Sequence, residues 1–268
     1  MLKLNIPSSH LGFALNPYES EYPSLHEGLG FAVVPAVQGN GFPALDYSKN
    51  AYMATTIGAP SYSAGVLSQA LRFNGSSDGL SFGTPLVSDS GPYPGSMVCW
   101  VRPNVTNQGG TIWGISNSAT TGDNNVIELR FTGAARIQMR TETSVAQSIG
   151  FYSAGVWYCV GCTFVSQSDR SLWLDGVFQA SNATSQNKTG LNITTIGYRS
   201  RPTPDTYFNG DIAGVLFYNR ILSGDEMRLF YNVPFAPFVQ SRRIYGFSVP
   251  AGGAAFPPNS LALTGVGI

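Results

Sequence analysis

From about residue 25 to 235 the chain runs as short apolar or alternating stretches separated by clusters of Gly, Pro, Asn and Ser. Ala70-Leu71-Arg72-Phe73, Ser96 to Val101, Val126 to Phe131, Arg136 to Arg140, Val156 to Phe164 and Ser171 to Leu174 are such stretches. Short runs at near-regular spacing predict the antiparallel strands of a sandwich or barrel. Asp175-Gly176 sits between Leu172-Trp173-Leu174 and Val177-Phe178-Gln179. Both residues tolerate the positive φ of a two-residue type I′ turn, so they predict a hairpin. Asn74-Gly75 and Asn209-Gly210 give similar turn signals.

One helix is expected. Ser223-Gly224-Asp225-Glu226 reads as a capping box, with Ser223 at the N-cap and Glu226 reaching back to it. Met227, Phe230 and Tyr231 form an apolar stripe, and Asn232 followed by Pro234 ends it. Residues 1–24 show no period and predict an extended arm. Residues 236–268 are rich in Pro, Gly and Ala and predict a tail. The expected organisation is therefore an arm (1–24), an all-β antiparallel sandwich (25–235) and a tail (236–268).

Composition narrows the function. Fifteen Lys+Arg balance fifteen Asp+Glu among 268 residues, and only 11% of residues are charged, under half of the roughly 25% usual for a soluble domain. Nucleic-acid binding needs clustered cations to neutralise phosphates, and the only lysines are Lys3, Lys49 and Lys188. No nucleic acid is expected as a partner. No apolar run reaches the 18 or so residues of a membrane span, so no membrane partner is expected. The start, Met1 to Pro7, lacks the apolar stretch of a secretory signal; export by another route, a trimmed signal or release by lysis are the alternatives.

Cys99, Cys159 and Cys162 are odd in number and lie inside apolar runs, which points to buried thiols rather than a disulfide framework. Cys159 and Cys162, three apart on a strand, face opposite sides. The sequons at Asn104, Asn182, Asn187 and Asn192 carry little meaning without evidence of secretion. Gly79-Leu80-Ser81-Phe82-Gly83 matches the nucleophile-elbow pattern, but that motif needs a strand-to-helix turn and a later histidine. The histidines, His10 and His26, lie upstream. A catalytic zinc site and a phosphate-cradling loop have no motif either.

Four segments together resemble one family. Leu71-Arg72-Phe73-Asn74-Gly75 through Leu80 is similar to the strand and loop that open laminin-G-like, concanavalin A-like jelly rolls. Ser96-Met97-Val98-Cys99-Trp100-Val101-Arg102-Pro103 resembles the family's central strand. Trp157 to Gly161 leading to Leu172-Trp173-Leu174-Asp175-Gly176 resembles its hairpin, and Phe208 to Ser223 its closing strand and short helix. The resemblance implies two curved antiparallel sheets packed face to face. It also implies a structural calcium ion at a sheet edge, with Asp78 and Asp211 as the candidate ligands; no other cofactor is expected. The family's laminarinase-type enzymes carry Glu-x-Asp-x-Glu along one strand. The only carboxylates two apart here, Glu19 and Glu21, lie in the arm. A retaining pair must stand about 5 Å apart, so a non-catalytic protein is expected.

Glycan recognition calls for aromatic faces and planar polar groups. Tyr198, Arg199, Arg201 and Tyr207 in one loop, and Asp123 and Asn124 in another, have that composition. Trp100, Trp157 and Trp173 sit within apolar strands and are expected in the core; Trp113, beside Gly114, is open. The tail's large apolar groups would be sticky if exposed, so Phe235, Phe238, Tyr245 and Phe247 are expected to pack on this domain or on another subunit, with the Arg242-Arg243 pair between them as a further assembly candidate. The stretch from Tyr231 to Tyr245 also resembles virion proteins of tailed phages and prophages. That resemblance implies a structural protein, capsid-decorating or tail-associated, found on extracellular particles after host lysis. Its partners would be coat or tail subunits, further copies of itself, and surface glycans. The alternatives are a secreted carbohydrate-binding lectin and, third, a glycoside hydrolase of the same fold.

Overall fold

The computed structural model describes residues 13–38, 44–83, 92–120, 125–141, 144–185 and 188–241. The chain forms two antiparallel sheets packed face to face. The first has the order β13-β12-β11-β6-β15-β4-β3. These strands are Val177–Asn182, Asp169–Leu174, Tyr158–Ser166, Gly95–Pro103, Asn209–Tyr218, Gln69–Asn74 and Ser61–Ala64. β1 (Leu29–Val33) adds to it along the second half of β15. The second sheet has the order β10-β9-β8-β7-β14-β5-β2. Its strands are Ser144–Gln147, Ile137–Thr141, Val126–Phe131, Gly110–Ser116, Ile193–Ile196, Gly79–Phe82 and Thr55–Ile57.

The core between the sheets follows from the two-residue period of a strand. Met97, Cys99 and Val101 of β6, Val160, Cys162 and Phe164 of β11, and Phe217 of β15 meet Trp113, Ile115, Ile127, Leu129, Phe131 and Met139 from the second sheet. Trp113 is fully buried there, stacked at 6.2 Å on Phe217. The opposite side of the first sheet is also covered, by α1 (Pro35–Gln38), α2 (Gly224–Asn232) and the segments flanking the sandwich. Val98, Trp100, Cys159, Leu216 and Tyr218 meet Leu25, Met227, Phe230, Phe235 and Phe238. This double burial is why β6 and β15 read as apolar runs rather than as alternating ones. The three cysteines are free and buried, Cys99 and Cys162 between the sheets and Cys159 in the outer layer.

The expected turn chemistry is present. Asp175 and Gly176 have φ of 50° and 74°, and Leu174 pairs with Val177. Ser223 Oγ accepts from the Glu226 N–H, and the Glu226 carboxylate accepts from the Ser223 N–H, closing the capping box.

The expected boundaries at 24/25 and 235/236 fall inside one folded unit. Ala14 N–H donates to Phe238 O and Glu21 N–H to Val239 O, both at 2.8 Å, and Ser241 N–H donates to Glu19 O at 2.8 Å. Arm and tail thus clasp each other. His26 Nε2 lies 2.6 Å from Pro237 O, with Phe238 edge-on to its ring. Phe235 takes a left-handed conformation and lays its ring over Gly214, where any Cβ would collide with it. Of the two alternatives for Phe235 and Phe238, packing on another subunit gives way to packing on their own domain, where both are buried. Arg242, Arg243, Tyr245 and Phe247 lie outside the described residues.

Candidate functional site

The outer face of the first sheet is closed by α2 and the clasp, so the open face belongs to the second sheet. Ile127, Leu129 and Phe131 of β8 point into the core, which turns Glu128 and Arg130 to the open side. The register carries Arg140 of β9 beside Glu128, and Gly114 of β7 beside both Glu128 and Thr195. Ser81 of β5 faces Thr195 in turn.

Glu128 has no solvent exposure. Its Oε2 accepts from Thr111 Oγ1 at 2.7 Å, and its Oε1 accepts from Arg130 Nη1 at 3.3 Å and Arg140 Nη1 at 3.2 Å. Arg199 Nη1 is 3.7 Å from the same oxygen. Buried charge persists only when paired and hydrogen-bonded in this way.

Arg199 arrives on the loop 197–207, which folds back over the sheet. Gly197 starts it with φ of 85°, packed so closely on Phe73 that only glycine fits. Thr111 N–H donates to Thr206 O at 2.8 Å, and the two threonine hydroxyls lie 2.8 Å apart. Within the loop Arg199 grips Asp205 bidentately, Nε to Oδ1 at 2.8 Å and Nη2 to Oδ2 at 2.9 Å. Arg201 Nη1 reaches Asp205 Oδ2 at 3.2 Å. Arg199 so spans two carboxylates and fixes the loop to β8.

Of the residues expected to meet a glycan, Tyr198, Arg199, Arg201 and Tyr207 do come together. Tyr198 is not an exposed platform, and that expectation is corrected. Its ring is buried, stacked on Tyr207 at 5.7 Å and seated directly on Gly79. Burial pushes its phenol pKa up, although bonds to Ser81 and Ser200 work the other way. Arg199 is likewise buried among carboxylates rather than presented outward. Asp123 and Asn124 lie outside the described residues. Glu128, Arg130 and Arg140 were missed; the signal was a charged residue alternating with Ile127 and Leu129 in a core strand.

The calcium candidates do not form a cation site. Asp211 is fully buried on the first sheet and is held by cations. Arg72 Nε is 2.8 Å from Oδ1, Arg102 Nη2 is 2.8 Å from Oδ2, and Ser63 Oγ donates to Oδ1 at 2.6 Å. Burial alone would raise its pKa, but the Arg72, Ser63 and Arg102 bonds hold it below the ordinary carboxylate value. Asp78 spends its oxygens on backbone N–H groups, accepting from Ala59 at 2.9 Å and Asn74 at 3.1 Å. Guanidiniums and N–H donors repel a calcium ion, which needs six or more free oxygens. Among the described residues no group of three or more His, Cys, Asp or Glu is placed to hold a metal.

The family model described as the concanavalin A-like lectin/glucanases superfamily matches residues 74–228. Among solved structures, domain 4 of the extracellular arabinanase AbnA of Geobacillus stearothermophilus, solved with arabinotriose, superposes with a TM-score of 0.57 at 17% identity, covering 76% of this chain and 98% of that one. The Trypanosoma rangeli sialidase, solved with sialic acid, gives 0.59 at 16% identity, covering 76% of this chain and 32% of that one. The binding domain of botulinum neurotoxin serotype D/C gives 0.57 at 13% identity, covering 78% and 53%. The chain thus spans nearly all of the arabinanase domain but about half of the toxin domain and a third of the sialidase. No curated protein matches the sequence.

Proposed function

The chain belongs to the concanavalin A-like lectin/glucanase superfamily, and on that premise we propose that it is a non-catalytic binding module that takes a glycan on the open face of its second sheet. The observation that carries this reading is the fixed polar array there. Glu128, Asp205 and the arginines between them are locked by mutual bonds, beside the hydroxyls of Thr111 and Thr206. Such preorganisation lowers the entropic cost of fixing sugar hydroxyls. The same bonding speaks against glycoside hydrolysis. Both Glu128 oxygens are committed to Thr111 and arginines, and Asp205 to Arg199 and Arg201, so neither carboxylate is free to meet a glycosidic oxygen. The arabinotriose complex of the arabinanase domain, which this chain spans almost in full, adds support from a protein of the same fold.

The test is a broad glycan array followed by calorimetry and a reducing-sugar assay on each hit. Binding without product release is expected, weakened when Arg140 becomes Ala. A blank array, or turnover of a bound polysaccharide, overturns the reading.

A second reading is favoured by the clasp: residues 13–21 and 238–241 lie side by side and make one joined surface that would serve to attach the sandwich to a larger particle. In that reading the sandwich is displayed on a phage particle. Quantitative mass spectrometry of purified particles, with copy number set against the coat protein, tests it. Absence from particles leaves the secreted lectin.

A further inference from the structure

Resting on the glycan-binding reading, we propose that a neutral sugar ring lies with its C–H face on Phe151, at the β9–β10 edge of the open face, and is held there by the amides of Gln138 and Gln147. Tyr198, the aromatic group expected to meet a glycan, is buried, so the platform has to come from elsewhere. Strand alternation supplies it. Ile137 and Met139 of β9 and Ala146 of β10 point into the core, which turns Arg136, Gln138 and Gln147 to the open side. Ser148 is buried and its N–H donates to Ile137 O at 2.8 Å, so Ile149 continues the open side, and it is 71% exposed. Phe151, two residues on, is 69% exposed, with the Arg136 guanidinium 3.9 Å from its ring centre.

Bonds hold this exposed ring in place. Arg136 Nη1 donates to the Ser148 carbonyl at 2.8 Å and also to the Ile149 carbonyl. Ser148 Oγ donates to Gly150 O at 2.8 Å, Ile149 N–H to Gln179 Oε1 at 3.1 Å, and Tyr152 N–H to Ala135 O at 2.9 Å. The loop that carries Phe151 is therefore tied to β9, to β13 and to itself. Arg136 backs one face of the ring and leaves the other to solvent. Large apolar groups kept in water by a bonded frame mark a contact surface.

The neighbouring polar pair decides the ligand class. Gln138 Nε2 donates to Gln147 Oε1 at 2.6 Å. That bond uses one donor and one acceptor, and leaves Gln138 Oε1 to accept and Gln147 Nε2 to donate, side by side. A hydroxyl both donates and accepts, so two adjacent ring hydroxyls satisfy both atoms, whereas a carboxylate or sulfate meets only the donor. Gln138 stands two residues from Arg136, about 7 Å along β9, which is the reach from a stacked ring to hydroxyls of the same sugar or the next. The negative face of an aromatic ring attracts the C–H groups of a sugar's apolar side. Ile149 and Phe151 offer at most a few hundred Å² of apolar surface, well below the about 800 Å² per partner of a standard protein interface. The ledge is thus sized for a sugar rather than for a second copy of the chain.

The experiment is calorimetry on the full chain with tetrasaccharides of glucan, xylan, galactan and arabinan as neutral probes and tetragalacturonate as the acidic one. At least one neutral probe is expected to bind, more tightly than tetragalacturonate, and to change less than about twofold in affinity between about 50 and about 300 mM salt. Phe151→Ala is expected to weaken that binding about tenfold, and Phe151→Tyr, which keeps the ring, less than about twofold. Gln147→Ala is expected to weaken it about fivefold. Because Phe151 is exposed, its alanine variant should melt within about 2 °C of the wild type, which separates a binding role from a structural one. Neutral binding that survives Phe151→Ala, or tighter binding of tetragalacturonate, overturns the proposal and leaves the glycan-binding reading standing. Self-association of the wild type that Phe151→Ala abolishes, measured by sedimentation, would make the ledge a contact between copies and also overturn it. No binding by any of the five probes overturns it too; a blank array then removes the glycan-binding reading as well, whereas an array hit keeps that reading.

Discussion

Tyr198 rests on Gly79 so closely that a single added methyl at Gly79 would occupy the same space as the tyrosine ring. Tyr198 begins the loop that carries Arg199, Asp205 and Tyr207 over the second sheet, so this contact sets the height of the loop. Gly79→Ala is expected to push the ring outward. Overpacking of this kind costs about 1–3 kcal/mol, measurable by urea unfolding. Because Arg199 would be drawn away from Glu128, the variant should also lose glycan affinity by more than the Tyr207→Ala variant, which leaves the loop's seat intact. Unchanged stability would show that the loop yields without strain.

Asp211 gives a second prediction. Removing its charge leaves Arg72 and Arg102 facing each other without a counter-charge beneath them. Asp211→Asn is expected to destabilise by about 3 kcal/mol, the low end for breaking a buried pair. Arg72→Ala should cost under about 1 kcal/mol, because Arg72 is nearly half exposed. The depressed carboxylate pKa implies stability that is present at neutral pH and lost as pH falls through the acid range. Millimolar calcium or EDTA should leave the wild-type melting temperature unchanged. A calcium-dependent rise that Asp211→Asn abolishes would refute the ion-pair account.

How far these sites were legible in the sequence depends on range. The capping box at Ser223 and the turn at Asp175-Gly176 are local, set by residues two or three apart, and their chemistry alone announces them. The core strands show through period and apolarity. Asp211 resembled a family metal position because sequence shows a carboxylate but not the arginines around it, which lie 139 and 109 residues away in the chain. Glu128 stayed hidden for the same reason. Its partners come from β7, β9 and the loop 197–207 as well as from its own strand, and one acidic residue in an apolar strand gives no sign that cations converge on it. Tyr198 looked exposed because its loop is polar, whereas the small Gly79 on another strand makes the seat that buries it.

The clasp makes the position of a truncation decisive. Phe238 is fully buried in the outer layer, and its backbone oxygen accepts from Ala14. Phe238→Ala should cost about 3–5 kcal/mol, as large-to-small changes at aromatic core sites do. A chain ending at Ser241 is expected to keep a cooperative melt close to the full chain. One ending at Phe235 should melt lower and bind a hydrophobic dye, because Leu25, Leu216 and Phe230 lose part of their cover. Equal melting temperatures for the two truncations would mean that Phe238 contributes nothing to the outer layer.

His26 should make the clasp sensitive to acid. Burial lowers its imidazole pKa below the ordinary 6.5, although its bond to the Pro237 carbonyl works in the other direction. The unfolded chain therefore takes up the proton first. Stability from this group is full above about pH 6.5 and falls as pH drops through the folded pKa. Asp46 and Asp175 have pKa values raised by burial and shift stability in the opposite sense at low pH, so the wild type alone cannot isolate the effect. Comparison with His26→Gln does, because glutamine can still donate to Pro237 but does not titrate. The melting temperature of the wild type is expected to fall more than that of His26→Gln between pH 7.5 and 5.5, and limited proteolysis at the lower pH should cut first in residues 13–26 or 234–241. Parallel pH profiles for the two proteins would show that His26 keeps the clasp closed in either charge state.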